Sequence, residues 1–134
     1  MWERAKDNLE LTRKKLVHAR DFSSKKDLAE SIHYIWVVFE NCVNIFLDLK
    51  SDSPTHRHKS KVEVLSLYHS LFFLKKDYSE TFAILLKLRI RADFGDYAQV
   101  PRIPEEAKVK EFLKEAEELF LETEKAVESF KQKK

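Results

Sequence analysis

The chain has 134 residues, of which 43% are apolar and 36% charged, so it fits one globular domain and excludes a disordered chain. One glycine and three prolines leave little material for tight turns, which argues against an all-β or α/β fold. The net charge of +2 is too small to indicate nucleic-acid binding by itself. The single cysteine, Cys42, excludes a disulfide within the chain and favours a reducing compartment.

The distribution of apolar residues argues against a membrane role. The first six residues lack the apolar run of a signal peptide. The most apolar window, residues 34–49, is interrupted by Glu40, Asn41, Asn44 and Asp48 and is too short to span a bilayer. We therefore expect a cytoplasmic protein that does not contact a membrane. Its abundant lysine and glutamate resemble the composition of thermophile proteins.

The spacing of apolar residues predicts five helices, over about 2–20, 25–50, 59–74, 77–95 and 104–130. Few long helices with few connections favour an all-α, up-and-down four-helix bundle with an additional short helix, in a single domain over residues 1–134. Ser23 or Ser24 is expected to cap the second helix, with Asp27 completing a capping box. A loop with two prolines is expected between Gly95 and Pro104.

The second helix has two apolar stripes, and a helix that is apolar on both sides needs cover on both sides. The first stripe consists of Leu28, Ile32, Trp36, Phe39, Val43 and Phe46. The second consists of Ile35, Val38, Cys42, Ile45 and Leu49. The second stripe could lie beneath the third helix or against another subunit. Because five helices offer little spare covering surface, we expect a homodimer that buries Val38, Cys42 and Ile45.

A cation interrupts the apolar stripe of the fourth helix. That stripe consists of Tyr78, Phe82, Leu85 and Arg89. An arginine on such a face is costly to bury unless it has a partner or opens into a cleft. Asp93, four residues on, could form an intrahelical ion pair with Arg89. Arg91 and Tyr97 lie close in sequence, and arginine beside aromatic residues suits the recognition of phosphates and bases.

Basic residues precede the third helix, where His56, His58 and Lys59 form a cluster. Cations at a helix N-terminus oppose the helix dipole, so they indicate either a bound anion such as phosphate or a solvated loop whose helix starts later. Glu30 and His33 have the Glu-x-x-His spacing of di-iron bundles, but those need the motif twice and it occurs once here. We expect no metal site and no cofactor.

Two segments resemble the HEPN superfamily (higher eukaryotes and prokaryotes nucleotide-binding), in its small stand-alone prokaryotic branch. The first is Arg89-Ile90-Arg91-Ala92-Asp93-Phe94-Gly95, which is similar to that branch's Arg-x-x-Ala-Asp-Tyr at the end of a fourth helix. The second is the polar break Pro54-Thr55-His56 after a long aromatic-rich helix. The helix order fits along nearly the whole chain.

The resemblance implies a dimeric helical bundle, often paired with a minimal nucleotidyltransferase as a toxin–antitoxin system. Many members are metal-independent ribonucleases that use Arg-x4–6-His, and Arg89 matches the arginine. The histidine would fall at Phe94, Gly95 or Asp96, so the catalytic pair is incomplete. We therefore expect a dimer that binds a nucleotide or RNA phosphate near Arg89, with a ribonuclease toxin or a plain protein-interaction bundle as alternatives.

Overall fold

The computed structural model describes residues 2–49, 61–94 and 104–132 of the chain, and within them it contains five helices and no strand. The helices are α1 (Trp2–Ser24), α2 (Leu28–Leu49), α3 (Lys61–Ser70), α4 (Ser79–Phe94) and α5 (Glu106–Gln132). The all-α fold predicted from the sequence is thereby confirmed. The bundle is formed by α1, α2, α4 and α5, and α3 is the additional short helix.

Helix α2 lies at the centre and contacts each of the other four helices. The ring of Phe39 on α2 stacks on the ring of Phe82 on α4, with 5.9 Å between the ring centroids. Towards α1, the hydroxyl of Ser31 donates a hydrogen bond to the carbonyl of Ala19 over 3.0 Å. These contacts lie on different sides of α2, so this apolar helix is covered by its neighbours on several sides.

The face of α2 expected to form a dimer interface is covered within the single chain. Ile35, Val38, Cys42 and Ile45 are all 0% exposed. The thiol of Cys42 forms a hydrogen bond with Thr123, which places α5 over this face. The expected interface is therefore wrong, because α5 supplies the cover that we assigned to a second subunit. The apolar stripe of α5 consists of Val109, Phe112, Ala116, Leu119, Thr123, Val127 and Phe130. A homodimer remains a prediction, but it needs another surface.

Within the described part of the chain, α2 is the one helix whose length and apolar content would suffice to cross a membrane. A central helix of a bundle passes the same test, and nine residues of α2 are buried against its neighbours. The burial of these residues in the bundle accounts for the apolar composition of α2.

The turn between α1 and α2 corrects the predicted cap. Ser24 belongs to the last turn of α1, and its hydroxyl donates to the carbonyl of Asp21 rather than capping α2. The cap is Asp27, whose Oδ1 accepts the amide hydrogen of Glu30 over 3.4 Å. Between them, the amides of Lys26 and Asp27 donate to the carbonyls of Ser23 and Phe22, which is a Schellman ending of α1.

The Schellman turn forces Lys26 into the left-handed region, with φ of 61°. Glycine is the residue usually found at this position because it lacks the Cβ clash. We expect Lys26→Gly to raise the free energy of unfolding by about 1 kcal/mol. Urea denaturation measures the change. Lys14→Gly in the exposed middle of α1 is the control and should lower stability by about 1 kcal/mol. A Lys26→Gly variant no more stable than the wild type would contradict this account of the turn.

A second Schellman turn ends α3 earlier than the sequence predicted. The amides of Phe72 and Phe73 donate to the carbonyls of His69 and Tyr68, and Phe72 has φ of 67°. The ring of Phe73 lies 5.7 Å from that of Tyr68, which is the apolar contact typical of this motif. Phe72 is left 94% exposed, in a conformation that costs a non-glycine residue roughly 1–2 kcal/mol.

The start of α4 follows the sequence prediction more closely. Asp77 Oδ1 accepts the amide hydrogen of Ser79 over 2.9 Å, and Oδ2 accepts from the hydroxyl of Ser66 on α3. Hydrogen bonds from Ser79, ahead of the bond from Ser66, hold the pKa of Asp77 below its usual value despite a smaller opposing effect of burial. One carboxylate thus ties the beginning of α4 to α3.

Candidate functional site

Arg89 lies where its stripe predicted, after three buried residues that begin just before α4. Tyr78, Phe82 and Leu85 are buried against the bundle, and Arg89 is half-buried one turn further on. Its guanidinium carbon lies 4.3 Å from the centroid of the Trp36 ring on α2, and its Nε is inaccessible to solvent. The cation that the sequence singled out is therefore held against an aromatic ring, and this cation–π contact stabilises it.

The Trp36–Arg89 pair lies on the side of the bundle where α3 begins. Lys61, the first residue of α3, donates to Glu40 of α2 over 3.0 Å. Glu40 is one turn after Trp36, a separation of about 6 Å along the helix axis. The first residue of α3 therefore contacts α2 about one turn from Trp36, and the segment 50–60 precedes it in the sequence. In the sequence, that segment carries His56, His58 and Lys59.

Trp36 brings a second donor to this place. Its indole Nε1 is buried, and no residue in the described ranges accepts a hydrogen bond from it. A buried N–H without an acceptor is rare in a folded protein, and it costs free energy that an oxygen acceptor would recover. Together with the guanidinium of Arg89, the site combines a cation, an N–H donor and an aromatic face.

Most of the other residues predicted for the site lie outside the described residues. His56, His58, Lys59 and Tyr97 belong to the segments 50–60 and 95–103. Arg91 and Asp93 belong to the last turn of α4, but their side chains lie outside the description, so the expected Arg89–Asp93 ion pair stays a prediction. Of the seven predicted binding residues, the structure thus places Arg89 alone, and it adds Trp36.

A second polar cluster was not predicted. Glu122 of α5 is 8% exposed, and its two carboxylate oxygens accept hydrogen bonds from the amide of Lys75 and from the hydroxyl of Tyr78. Burial, followed by the Glu122 carboxylate, raises the pKa of Tyr78. The sequence contained only a weak indication that Glu122 is buried. Glu122 follows Leu119 of the apolar stripe of α5 by three residues, so its side chain points partly towards the core.

The charges around Glu122 are paired across the same junction. Lys76 lies 3.0 Å from Glu115 and 3.7 Å from Glu118. Burial by itself lowers the pKa of Lys76, but the two carboxylates together outweigh burial and raise it. Because every group of this cluster joins the α3–α4 connection to α5, we interpret the cluster as a structural junction rather than a reactive site.

Cys42, Glu30 and His33 also carry side chains of types found at reactive or metal-binding sites. Burial raises the pKa of the Cys42 thiol to about 12, ahead of a smaller lowering by Thr123, so the thiol is a poor nucleophile. Among the described residues, no group of three or more histidine, cysteine, aspartate or glutamate side chains is placed to hold a metal ion. Glu30 is exposed, and the ring of His33 lies 5.1 Å from that of Tyr34.

Comparison of the chain with models of protein families, with curated proteins and with solved structures found no significant match. The resemblance to the HEPN superfamily therefore stays an expectation that rests on the two quoted segments.

Proposed function

We propose that this protein binds a phosphate-bearing ligand, a nucleotide or RNA, at the α2–α4 face around Arg89. The observation that carries the proposal is the half-buried guanidinium of Arg89 against the ring of Trp36. A guanidinium fork matches the geometry of phosphate oxygens, and an adjacent aromatic ring suits a base. The HEPN resemblance, which matches Arg89 to a functional arginine, favours the same location.

The charges around the pair bear on its attraction for an anion. Lys61, about one turn away along α2, forms an ion pair with Glu40, so these two charges compensate each other and the net positive charge comes from Arg89. In the sequence, the basic residues His56, His58 and Lys59 come shortly before Lys61. Phosphate groups are drawn to such cations, and the attraction weakens as salt screens it.

Binding can be measured through Trp36 itself. In a Trp2→Phe background Trp36 is the single tryptophan, so its fluorescence reports on the site. We expect AMP, ATP and short single-stranded RNA to change this fluorescence at low salt, with affinity falling as salt is added. Arg89→Ala should weaken binding by about tenfold or more, since a charge-assisted hydrogen bond contributes roughly 1.5–3 kcal/mol. Arg89→Lys should weaken it less, because the charge remains.

Arg13 provides a matched control. Its guanidinium lies 5.0 Å from the ring of Phe120, and it pairs with Glu124 at 2.5 Å, on the α1–α5 side of the bundle. Arg13→Ala should leave ligand affinity unchanged. If Arg89 serves the fold alone, Arg89→Ala will lower the melting temperature without changing affinity. That outcome, or a folded wild type that binds none of the three ligands at low salt, would overturn the proposal and favour a plain interaction bundle.

A ribonuclease is the second candidate, and one position in the structure favours it. His33 lies one turn before Trp36 on α2, so an imidazole side chain is present one turn from the ring that holds Arg89. The same preparations, incubated with RNA in the presence of a chelator, test this activity. Cleavage that requires both Arg89 and His33 would establish the enzyme in place of a binding protein.

The proposed partner is a minimal nucleotidyltransferase, on the strength of the HEPN resemblance. Co-expression with the product of an adjacent nucleotidyltransferase gene, where one is present, followed by size-exclusion chromatography tests this interaction. Co-elution would support the pairing, and separate elution of two folded proteins would contradict it.

A further inference from the structure

The turn after α3 displays an apolar protrusion. Phe72 is 94% exposed in its left-handed conformation, and Leu71 and Leu67 beside it are nearly half exposed. Nothing in the Schellman turn requires a phenylalanine here, because Phe73 makes the apolar contact to Tyr68 and the turn itself favours glycine. A strained backbone that presents an aromatic ring to solvent indicates an interaction site.

A cleft opens beside this protrusion. It has a volume of about 270 Å³, with a mostly apolar wall that includes Tyr78 and Leu121 and a rim that includes Lys75, Lys125 and Glu118. For comparison, a cavity of about 150 Å³ accommodates a benzene molecule. Lys75, which lines the cleft, follows Phe72 by three residues, so the Cα atoms of these two residues lie within about 11 Å of one another.

We propose that this face forms a homodimer in which Phe72 of each copy inserts into the Leu121 cleft of the other. A protrusion and a cavity on one face are self-complementary under a two-fold rotation, which is the commonest symmetry of soluble dimers. The rim of the cleft carries both lysine and glutamate, so bringing two copies together does not accumulate charge of one sign. This interface does not depend on the proposed anion site.

The charges of the turn favour a second copy over a lipid surface. A membrane-binding protrusion needs unpaired basic residues to attract anionic headgroups. Here Lys76 is bound to Glu115 and Glu118, and the carboxylate of Asp77 follows directly. The surroundings of Phe72 are therefore mixed in charge.

Phe72→Gly separates association from folding, because glycine removes the ring and also suits the left-handed turn. Sedimentation velocity over a concentration series should show a wild-type dimer, with self-association weakened about 30-fold or more in Phe72→Gly, the loss typical of an aromatic anchor. Leu121→Glu should weaken association from the other side of the contact. Leu11→Glu, at an exposed position on α1, is the control and should leave association unchanged. Circular dichroism verifies that each variant is folded.

Disulfide trapping tests the predicted geometry directly, since the natural Cys42 is buried. Mixing Phe72→Cys with Leu121→Cys protein under mild oxidation should give a cross-linked dimer containing one copy of each, and Phe72→Cys mixed with Leu11→Cys should not. A monomeric wild type, or a dimer that persists in Phe72→Gly, would overturn the proposal. A monomer that sediments with phosphatidylserine vesicles through Phe72 would overturn it in favour of a lipid surface.

Discussion

Replacing Ile45 by aspartate should unfold the monomer. Ile45 is 0% exposed in the centre of α2, and a carboxylate introduced there would lose its hydration without a cation to replace it. The expected loss is on the order of 3–5 kcal/mol or more, which is a large share of the 5–15 kcal/mol that typically stabilises a domain. Circular dichroism and urea denaturation measure it.

The control for Ile45→Asp is Val17→Asp, because Val17 is 46% exposed on α1. That variant should change stability by less than about 0.5 kcal/mol. The comparison also separates the two interpretations of the second stripe of α2. A folded, cooperatively melting Ile45→Asp monomer would indicate that this face lies at a subunit interface, and would contradict the packing of α5 over it.

Replacing Glu122 by alanine should cost about 2–4 kcal/mol. The substitution leaves the hydroxyl of buried Tyr78 and the amide of Lys75 without their acceptor. Glu122→Gln keeps one acceptor oxygen and should retain part of the stability. Urea denaturation gives the free energies, and hydrogen exchange at the Lys75 amide should accelerate in Glu122→Ala as the α3–α4 connection loosens.

Glu118→Ala is the matched control for Glu122→Ala, since Glu118 lies one turn earlier on the same helix. Its carboxylate pairs with Lys76 at 3.7 Å but its side chain is 43% exposed. Solvent screens such a pair, so its loss should cost less than about 1 kcal/mol. Equal losses in the two variants would show that the buried hydrogen bonds of Glu122 contribute no more than a surface ion pair.

The sequence predicted the helices because burial of one face imposes a period that can be counted. The stripes of α1 and α5 lie in the core almost throughout, as at Leu9, Leu16, Phe112 and Leu119. The number of helices within the described residues followed from the same pattern, whereas α3 is shorter than the predicted helix over about 59–74. The period of apolar residues does not indicate which helix or subunit covers a buried face. The sequence therefore could not distinguish α5 from a second subunit as the cover over Cys42.

The features that escaped prediction depend on contacts between residues distant in sequence or on unusual turn residues. Arg89 was singled out by its place on a stripe, but Trp36, its ring partner, lies 53 positions earlier and carried no mark of that role. Glu122 was hidden because a glutamate beside an apolar stripe resembles an ordinary solvent-facing residue. The two Schellman turns were hidden because lysine and phenylalanine occupy positions where glycine is the usual signal.

The central position of α2 has a consequence for how the chain folds during synthesis. Helices α1 and α2 are joined by three residues and pack on each other, so they can form a hairpin as soon as both have been made. The surface of Phe39 that α4 covers stays uncovered until Ser79–Phe94 is translated, and the surface of Cys42 that α5 covers stays uncovered until Glu106 and the residues after it are translated. For most of its synthesis the nascent chain therefore exposes an aromatic helix face, the kind of surface that molecular chaperones protect from aggregation.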